Sequence, residues 1–415
     1  MLPAEEQQSS SWRGRPFIVV VQAAHMMLRW AVAAVTLAAT TTLSVAPSNA
    51  SASISTGLVG SGPSHAALAL HQWAADLPQT TPGWSFSYAQ TSDHGGLADL
   101  ATGSADFAVT DRAPTDAELA AIDDPADVAV IPIEAEPLVF SAGPTFVFPA
   151  PIDANRICSS VTTINHAPFT RSFVARSDAS GANVAVSDFC IHQAPSLWDA
   201  YRAGVAADPT MLATAPAGFT SGSPISTFPA AGVSLASGAD GVANTLANPA
   251  LLGSVEGVVE RGRAQERGLQ IADLTGGTTA HSAADGTVTN ALNAATVRPD
   301  STLSTGAVSP DDAYPLVTVD YLVARLTPGD PAVAARLRAL IDHGLGDGQR
   351  RLPSLGYLAL PPRVLTLAAS RAAAIGSSGP PPPVVSESPS TPLLLLAGLT
   401  LAAIPTLKRR RKPRG

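Results

Sequence analysis

The chain has 415 residues, of which 46% are hydrophobic and 14% charged, with a formal net charge of -8. That length exceeds the ~100 to 200 residues of an ordinary single domain, and the composition is too apolar for a mainly disordered chain, so two lobes with a sizeable core are expected. Six of the 25 basic side chains sit in the last eight residues, and residues 53–407 hold 16 basic against 31 acidic groups, a balance that excludes the clustered positive surface of a nucleic-acid binder.

At the start of the chain, Arg29 precedes the largely apolar run Trp30 to Ala39, and Ala50-Ser51-Ala52 offers the small residues that a signal peptidase reads. Residues 1–52 therefore read as an export signal, the run being short for a retained membrane helix. Met26 and Met27 stand just before this pattern, which leaves Met1 and Met26 both open as the start.

From residue 54 to 376, short β-type runs alternate with helix-type runs, the pattern of an α/β protein. Gly60-Ser61-Gly62-Pro63-Ser64 precedes an amphipathic helix whose Ala66, Leu70, Trp73 and Leu77 share one face. Phe86-Ser87-Tyr88 reads as a strand, and Thr91-Ser92-Asp93-His94-Gly95-Gly96 then opens a helix with Leu97 and Leu100. A buried strand from Ala105 to Val109 ends at Asp111, and another is expected from Asp127 to Ile133. Ser172 to Ala175 is a strand that hands over, through Arg176-Ser177-Asp178-Ala179-Ser180-Gly181, to a helix with Val186 and Phe189. Each strand-to-helix turn presents amides and hydroxyls at a helix start, the common form of an anion site, although any one of them read alone is a plain cap. Arg176 supplies a fixed cation that Asp178 can orient. Pro216 to Gly241 and Asp273 to Asp312 are expected as loops or crossovers. Asp330-Pro331 caps a further helix, with Val333, Leu337, Leu340 and Ile341 on its core face.

Cys158 and Cys190 are the only cysteines; an even pair in an exported chain favours one disulfide, with two buried thiols as the alternative. Neither they nor the histidines have metal-ligand spacing, so no metal or other cofactor is expected. His71, His94, His166, His192 and His343 read as structural or exposed. Residues 377–392, with Pro380 to Pro383, form a Pro/Ser-rich linker; 393–407 is an uncharged apolar run and 408–415 a basic tail. Together these read as a C-terminal transmembrane anchor with a cytoplasmic stop.

The four turns, in their order, resemble those of the phosphate-binding protein of the bacterial ABC-type phosphate importer, over about residues 54 to 375. That family has a Gly-x-Gly-x-Ser/Thr turn, a Ser-rich turn with paired glycines, a strand ending in Asp and an Arg-x-Asp-x-Ser-Gly-Thr turn. The resemblance extends to Leu252 to Glu256, Ala313 to Thr318 and Leu355-Gly356-Tyr357. It implies a bilobal periplasmic-binding-protein-like (type II) fold, with 54–135 and 275–376 as lobe 1, 136–274 as lobe 2, and crossover strands between them. It also implies a phosphate site built from Ser64, His65, Ser92, Asp111, Arg176, Ser180, Gly181 and Ala182, with Asp178 orienting the arginine. Asp111 would accept the proton that phosphate keeps at neutral pH and sulfate lacks. Departures are Ala182 in place of a hydroxyl residue, His65 in place of an aromatic, and a rebuilt segment from Pro144 to Thr170. The expected function is capture of inorganic phosphate outside the membrane by a monomer, for an ABC-type permease, without catalysis. The alternative is a surface-anchored structural or sensory protein that keeps a degenerate site. A hydrolase lacks an evident nucleophile with its base.

Overall fold

The computed structural model describes residues 57–77, 84–162, 171–216, 219–229 and 233–377. The export signal, the anchor at 393–407, the basic tail and all of the linker beyond Ser377 lie outside the described residues, and among those described no helix is long and apolar enough to cross a membrane.

Strands β1 (Gly57–Pro63), β2 (Ser85–Thr91), β3 (Phe107–Thr110) and β4 (Val128–Ala142) alternate with helices α1 (Ala67–Asp76), α2 (Asp93–Thr102) and α3 (Asp116–Ile122). There follow α4 (Ala154–Thr162), β5 (Ser172–Arg176), α5 (Gly181–Gln193), α6 (Pro195–Ala207), α7 (Pro209–Thr214), β6 (Ser234–Ala236), α8 (Gly238–Ala247), β7 (Val255–Glu260), α9 (Arg261–Glu266) and β8 (Gln270–Ile271). The chain continues through the pair β9 (Leu274–Thr275) and β10 (Ala280–His281), α10 (Asp285–Ala294), and the pair β11 (Thr296–Val297) and β12 (Leu303–Ser304). It closes with β13 (Val317–Arg325), α11 (Pro331–Leu345) and α12 (Pro362–Ala372).

The main sheet runs β2-β1-β3-β13-β4-β7-β5-β6, with β8 beside the end of β4. It has two halves that share β4. Residues Val128 to Pro137 pair antiparallel with β13, and Leu138 to Ala142 pair antiparallel with β7. Beyond these, β1, β2 and β3 are mutually parallel on one side, and β5 lies parallel to β6 and β7 on the other. The register of β4 against β13 shifts at Asp320 and Tyr321, opposite Pro132. Proline has no amide to donate, and a bulge lets the ladder pass it.

The expected helix faces are the buried ones. Leu70 and Trp73 of α1 meet Leu337, Leu340 and Ile341 of α11 in one core, together with Leu58, Phe107 and Ile131. A larger core gathers Phe140, Phe173, Val186, Phe189, Trp198 and Leu246 under the other half of the sheet. Asp330 caps α11 by accepting from the Ala332 amide, with Pro331 in the first turn.

Three sequence expectations are corrected. The strand expected from Asp127 to Ile133 continues to Ala142, since Glu134 and Glu136 interrupt its apolar run without ending it. The stretch Pro216 to Gly241 contains β6, which is recruited by pairing with β5; three residues carry too little alternation to be read locally. The stretch Asp273 to Asp312 contains α10, which buries Val288, Ala291 and Leu292 at helical spacing beneath Ser/Thr-rich flanks.

Cys158 in α4 and Cys190 in α5 are joined by a disulfide across a sequence separation of 32. In the chain-entropy picture, opening this loop removes about 3 to 4 kcal/mol of stability. Replacing both cysteines by serine is expected to lower the unfolding free energy by about that amount. Urea titration checks this, and a change below about 1 kcal/mol would contradict it.

Candidate anion site

Three chain segments meet where the two halves of the sheet touch: the end of β3, the end of β5 and the start of α5. Asp111, immediately after β3, is almost wholly buried. Its Oδ1 accepts the Gly181 amide at 2.6 Å and its Oδ2 lies 3.2 Å from Arg176 Nη1. Thus a cation and the first amide of α5 converge on one carboxylate, the donor set that a helix start offers to an anion. Arg176, only 6% exposed, is also held by Asp178, which accepts from Nε at 3.2 Å and from Nη2. Asp178 in turn accepts the Gly238 amide at 2.9 Å, tying the arginine to the start of α8. Ser180 caps α5 by accepting from the Asn183 amide, and the Asn183 side chain donates to the carbonyls of Arg176 and Ser226.

The other predicted residues are placed differently. Ala182 is buried in the first turn of α5. Ser92 is exposed, and its hydroxyl oxygen caps α2 by accepting from the Gly95 amide at 3.1 Å. Ser64 is exposed and His65 buried in one short turn after β1; both line a cleft of about 410 Å³ together with Glu136, Glu260, Arg263 and Tyr357. The Pro63–Ser64 turn is reached through Gly62, which has φ of 156° and leaves no room for a side chain against the Val109 carbonyl.

Around this nucleus lies a set of buried charges that the turn motifs did not reveal. Asp93 accepts the Asp111 amide at 3.2 Å. Arg112 forms a two-pronged pair with Glu118, at 2.9 and 2.6 Å, with its Nε 3.9 Å from Asp93. His65 Nε2 lies 3.0 Å from Asp320, which is itself opposite Glu134 across the β4–β13 ladder. Glu260, at the end of β7, lies 3.6 Å from Arg176. A signal was available for Glu134: it and the half-buried Glu136 are two apart in an otherwise apolar strand, so they share one face.

Burial and crowding separate the ionisation of these groups. Burial, then the neighbouring Asp111, pushes the Asp93 carboxyl well up. Burial also opposes the charge on Asp111, but the Asp93 proton, Arg176 and the Gly181 amide hold it down at about 2. Glu134 is raised by burial and by Asp320, and Glu136 is pushed up to about 8 by burial, Asp320 and Glu260, against the opposing pull of His65. His65 loses basicity to burial but gains more from Asp320, and ends well above the usual imidazole range. Glu118 is held at about 2, the Arg112 pair overcoming its burial.

A pH response follows. The raised carboxyls bind protons in the folded chain that the unfolded chain has already lost, so they stabilise at mildly acidic pH. That stabilisation fades from the ordinary carboxylate range up through about 8 for Glu136, and the His65 contribution fades above the ordinary imidazole range in the same direction. Asp111 and Glu118 act oppositely, losing their contribution as the pH falls toward about 2. The melting temperature is expected to peak near pH ~5 and decline toward pH ~9, with a shallower decline in Glu136→Gln. A flat profile between these limits, read by thermal scans, would contradict this charge assignment.

The architecture is that of the periplasmic-binding-protein-like class. The PBP superfamily domain matches residues 47–343, more than half of the chain, and the chain belongs to that family. In fold it is similar to a high-affinity periplasmic phosphate-binding protein (PfluDING) bound with phosphate, at TM-score 0.53 and 16% identity, covering 76% of this chain and 93% of that one. It is likewise similar to a human phosphate binding apolipoprotein, at TM-score 0.54 and 15% identity, covering 75% and 94%. Likeness at such identities is one of fold. No curated protein matches the chain in sequence.

Proposed function

We propose that the chain is an extracytoplasmic binding protein that captures inorganic phosphate and presents it to an ABC-type permease. The observation that carries this reading is the convergence of Arg176 and the α5 amide on a single anionic acceptor between the two halves of the sheet. The bound phosphate of PfluDING, a protein of the same fold, supports the choice of ligand. The lobes would part about the crossover strand β4, near Pro137 where its pairing changes partner. Parting frees the arginine and the amide from Asp111, phosphate takes both donors, and Asp111 turns to accept the proton that phosphate retains. Gly181 and Ala182 would then offer amides and Ser180 its hydroxyl, Ser64, His65 and Ser92 would face the ligand from the opposite lobe, and Asp178 would keep the guanidinium in place. No covalent step is involved. The export signal would send a monomer to the cell surface, where the Pro/Ser-rich linker and the apolar run 393–407 would anchor it in the plasma membrane.

A second reading, a surface-anchored structural or sensory protein with a degenerate site, is favoured by three features: Asp111 itself fills the anion position, Ser92 serves as a cap and Ala182 has no hydroxyl. Calorimetric titration with phosphate and sulfate separates the two. Saturable phosphate binding with at least tenfold weaker sulfate binding is expected, and Asp111→Asn is expected to bring the two ligands within about threefold. Absence of saturable phosphate binding would favour the second reading.

A further inference from the structure

The junction holds more acidic groups than its one arginine balances. Asp111 and Glu260 face it with Arg176, whose Nη1 is shared between them at 3.2 Å and 3.6 Å, and Glu136 lines the cleft beside Glu260. The cleft of about 410 Å³ that begins at Glu260 and His65 is within the range of sites for whole small molecules, which starts at roughly 300 Å³. Four oxygens around one phosphorus do not fill such a space.

The cations lining the cleft are already engaged. His65 is paired with Asp320 at 3.0 Å, and Arg263 is held by Glu266 at 3.1 Å and Asp240 at 3.5 Å. Glu260 is different: it is 4% exposed and both of its carboxylate oxygens are buried without a hydrogen-bond partner. A buried carboxylate in that state is costly unless a ligand brings a donor to it. Glu136, on β4 and half-buried, lines the same cleft; a cation beside it draws off the proton that it otherwise holds up to about 8, so two acidic groups flank the interior. Among the described residues no group of three or more acidic, histidine or cysteine side chains is arranged to hold a metal ion. The donor that suits this pair of acidic groups is an organic ammonium group, which gives three hydrogens and one charge.

Resting on the anion site proposed above, we infer that the ligand is a zwitterion: a phosphate-type oxyanion joined by a short chain to a protonated amine. The oxyanion takes Arg176 and the α5 amide, and the ammonium takes Glu260 and Glu136. Selectivity follows from unpaired charge. Inorganic phosphate, or an ester with a neutral tail, leaves Glu260 without a hydrogen-bond donor, whereas the amine supplies one and brings its charge to Glu136.

The test is calorimetric titration of the full-length protein with O-phosphoethanolamine, ethyl phosphate and inorganic phosphate. Phosphoethanolamine is expected to bind at least tenfold tighter than ethyl phosphate, and Glu260→Gln and Glu136→Gln are each expected to bring that ratio to about threefold or less. Melting curves establish that each variant is folded, and the two substitutions lie on different strands, so loss of one leaves the other. Equal or tighter binding of ethyl phosphate overturns the inference, as does a ratio that persists in both variants. Binding of inorganic phosphate with neither ester overturns the inference while sustaining the phosphate reading. No binding of any of the three overturns both.

Discussion

Arg176→Ala is expected to weaken phosphate binding by a hundredfold or more and to lower the unfolding free energy by about 3 to 5 kcal/mol, because it removes the cation from a buried group of acids. Arg176 is 6% exposed and stands within 3.2 Å of Asp111 and 3.6 Å of Glu260, with Asp178 on its other edge. After truncation those carboxylates either ionise in a poorly solvated space or take up protons, and both routes destabilise. Urea unfolding and calorimetry measure the two effects. The double variant Arg176→Ala/Asp111→Ala is expected to regain part of the lost stability, since it removes one stranded charge along with its partner. Stability within about 1 kcal/mol of the parent would mean that water reaches this junction and screens it.

Gly181→Ala is the second large effect. A Cβ at Gly181 would stand 1.8 Å from the Asp111 carbonyl oxygen and 3.0 Å from its carboxyl carbon. The obstacle is backbone, so no rotamer relieves it, and α5 has to move away from the end of β3. Overpacking of this kind destabilises by about 1 to 3 kcal/mol, and here it also separates the Gly181 amide from Asp111. The expected outcome is a folded protein whose melting temperature falls by several degrees and whose two halves are held apart. Small-angle scattering of the unliganded variant should show a larger radius of gyration than the parent. An unchanged radius and melting temperature would contradict a tight contact at this point. Under the phosphate reading the same variant binds its ligand more weakly, because the helix start is displaced from Arg176.

Much of the site was legible because its parts are local. The turns after β1, β2, β3 and β5 each combine a strand end, small residues and a helix start within a few positions, and these are features that short-range chemistry imposes. Asp111, Arg176, Asp178 and Ser180 could be singled out on that basis. Ser92 shows the limit of such reading, since a hydroxyl at a helix start serves as its helix's cap or as a donor outward, and here its oxygen accepts the Gly95 amide while its own proton stays free to donate. Arg112 was invisible for a related reason. Its two-pronged pair with Glu118 is a contact across six residues that conforms to neither strand nor helix periodicity.

What the amino-acid sequence determined by itself is the alternation of strands and helices, the helix faces that form the core, the pairing capacity of two cysteines, and the identity of the charged residues at strand ends. Local steric and hydrophobic rules suffice for these. Only the tertiary structure decided that Asp111 reaches across 65 residues to Arg176 and 70 to Gly181, and that Glu134 faces Asp320 from a strand far along the chain. It alone decided that Glu260 is buried near Arg176 yet without a hydrogen-bond partner. Such meetings are set by the order and register of the sheet, which depend on the whole core packing at once, and no short window of sequence contains that sum.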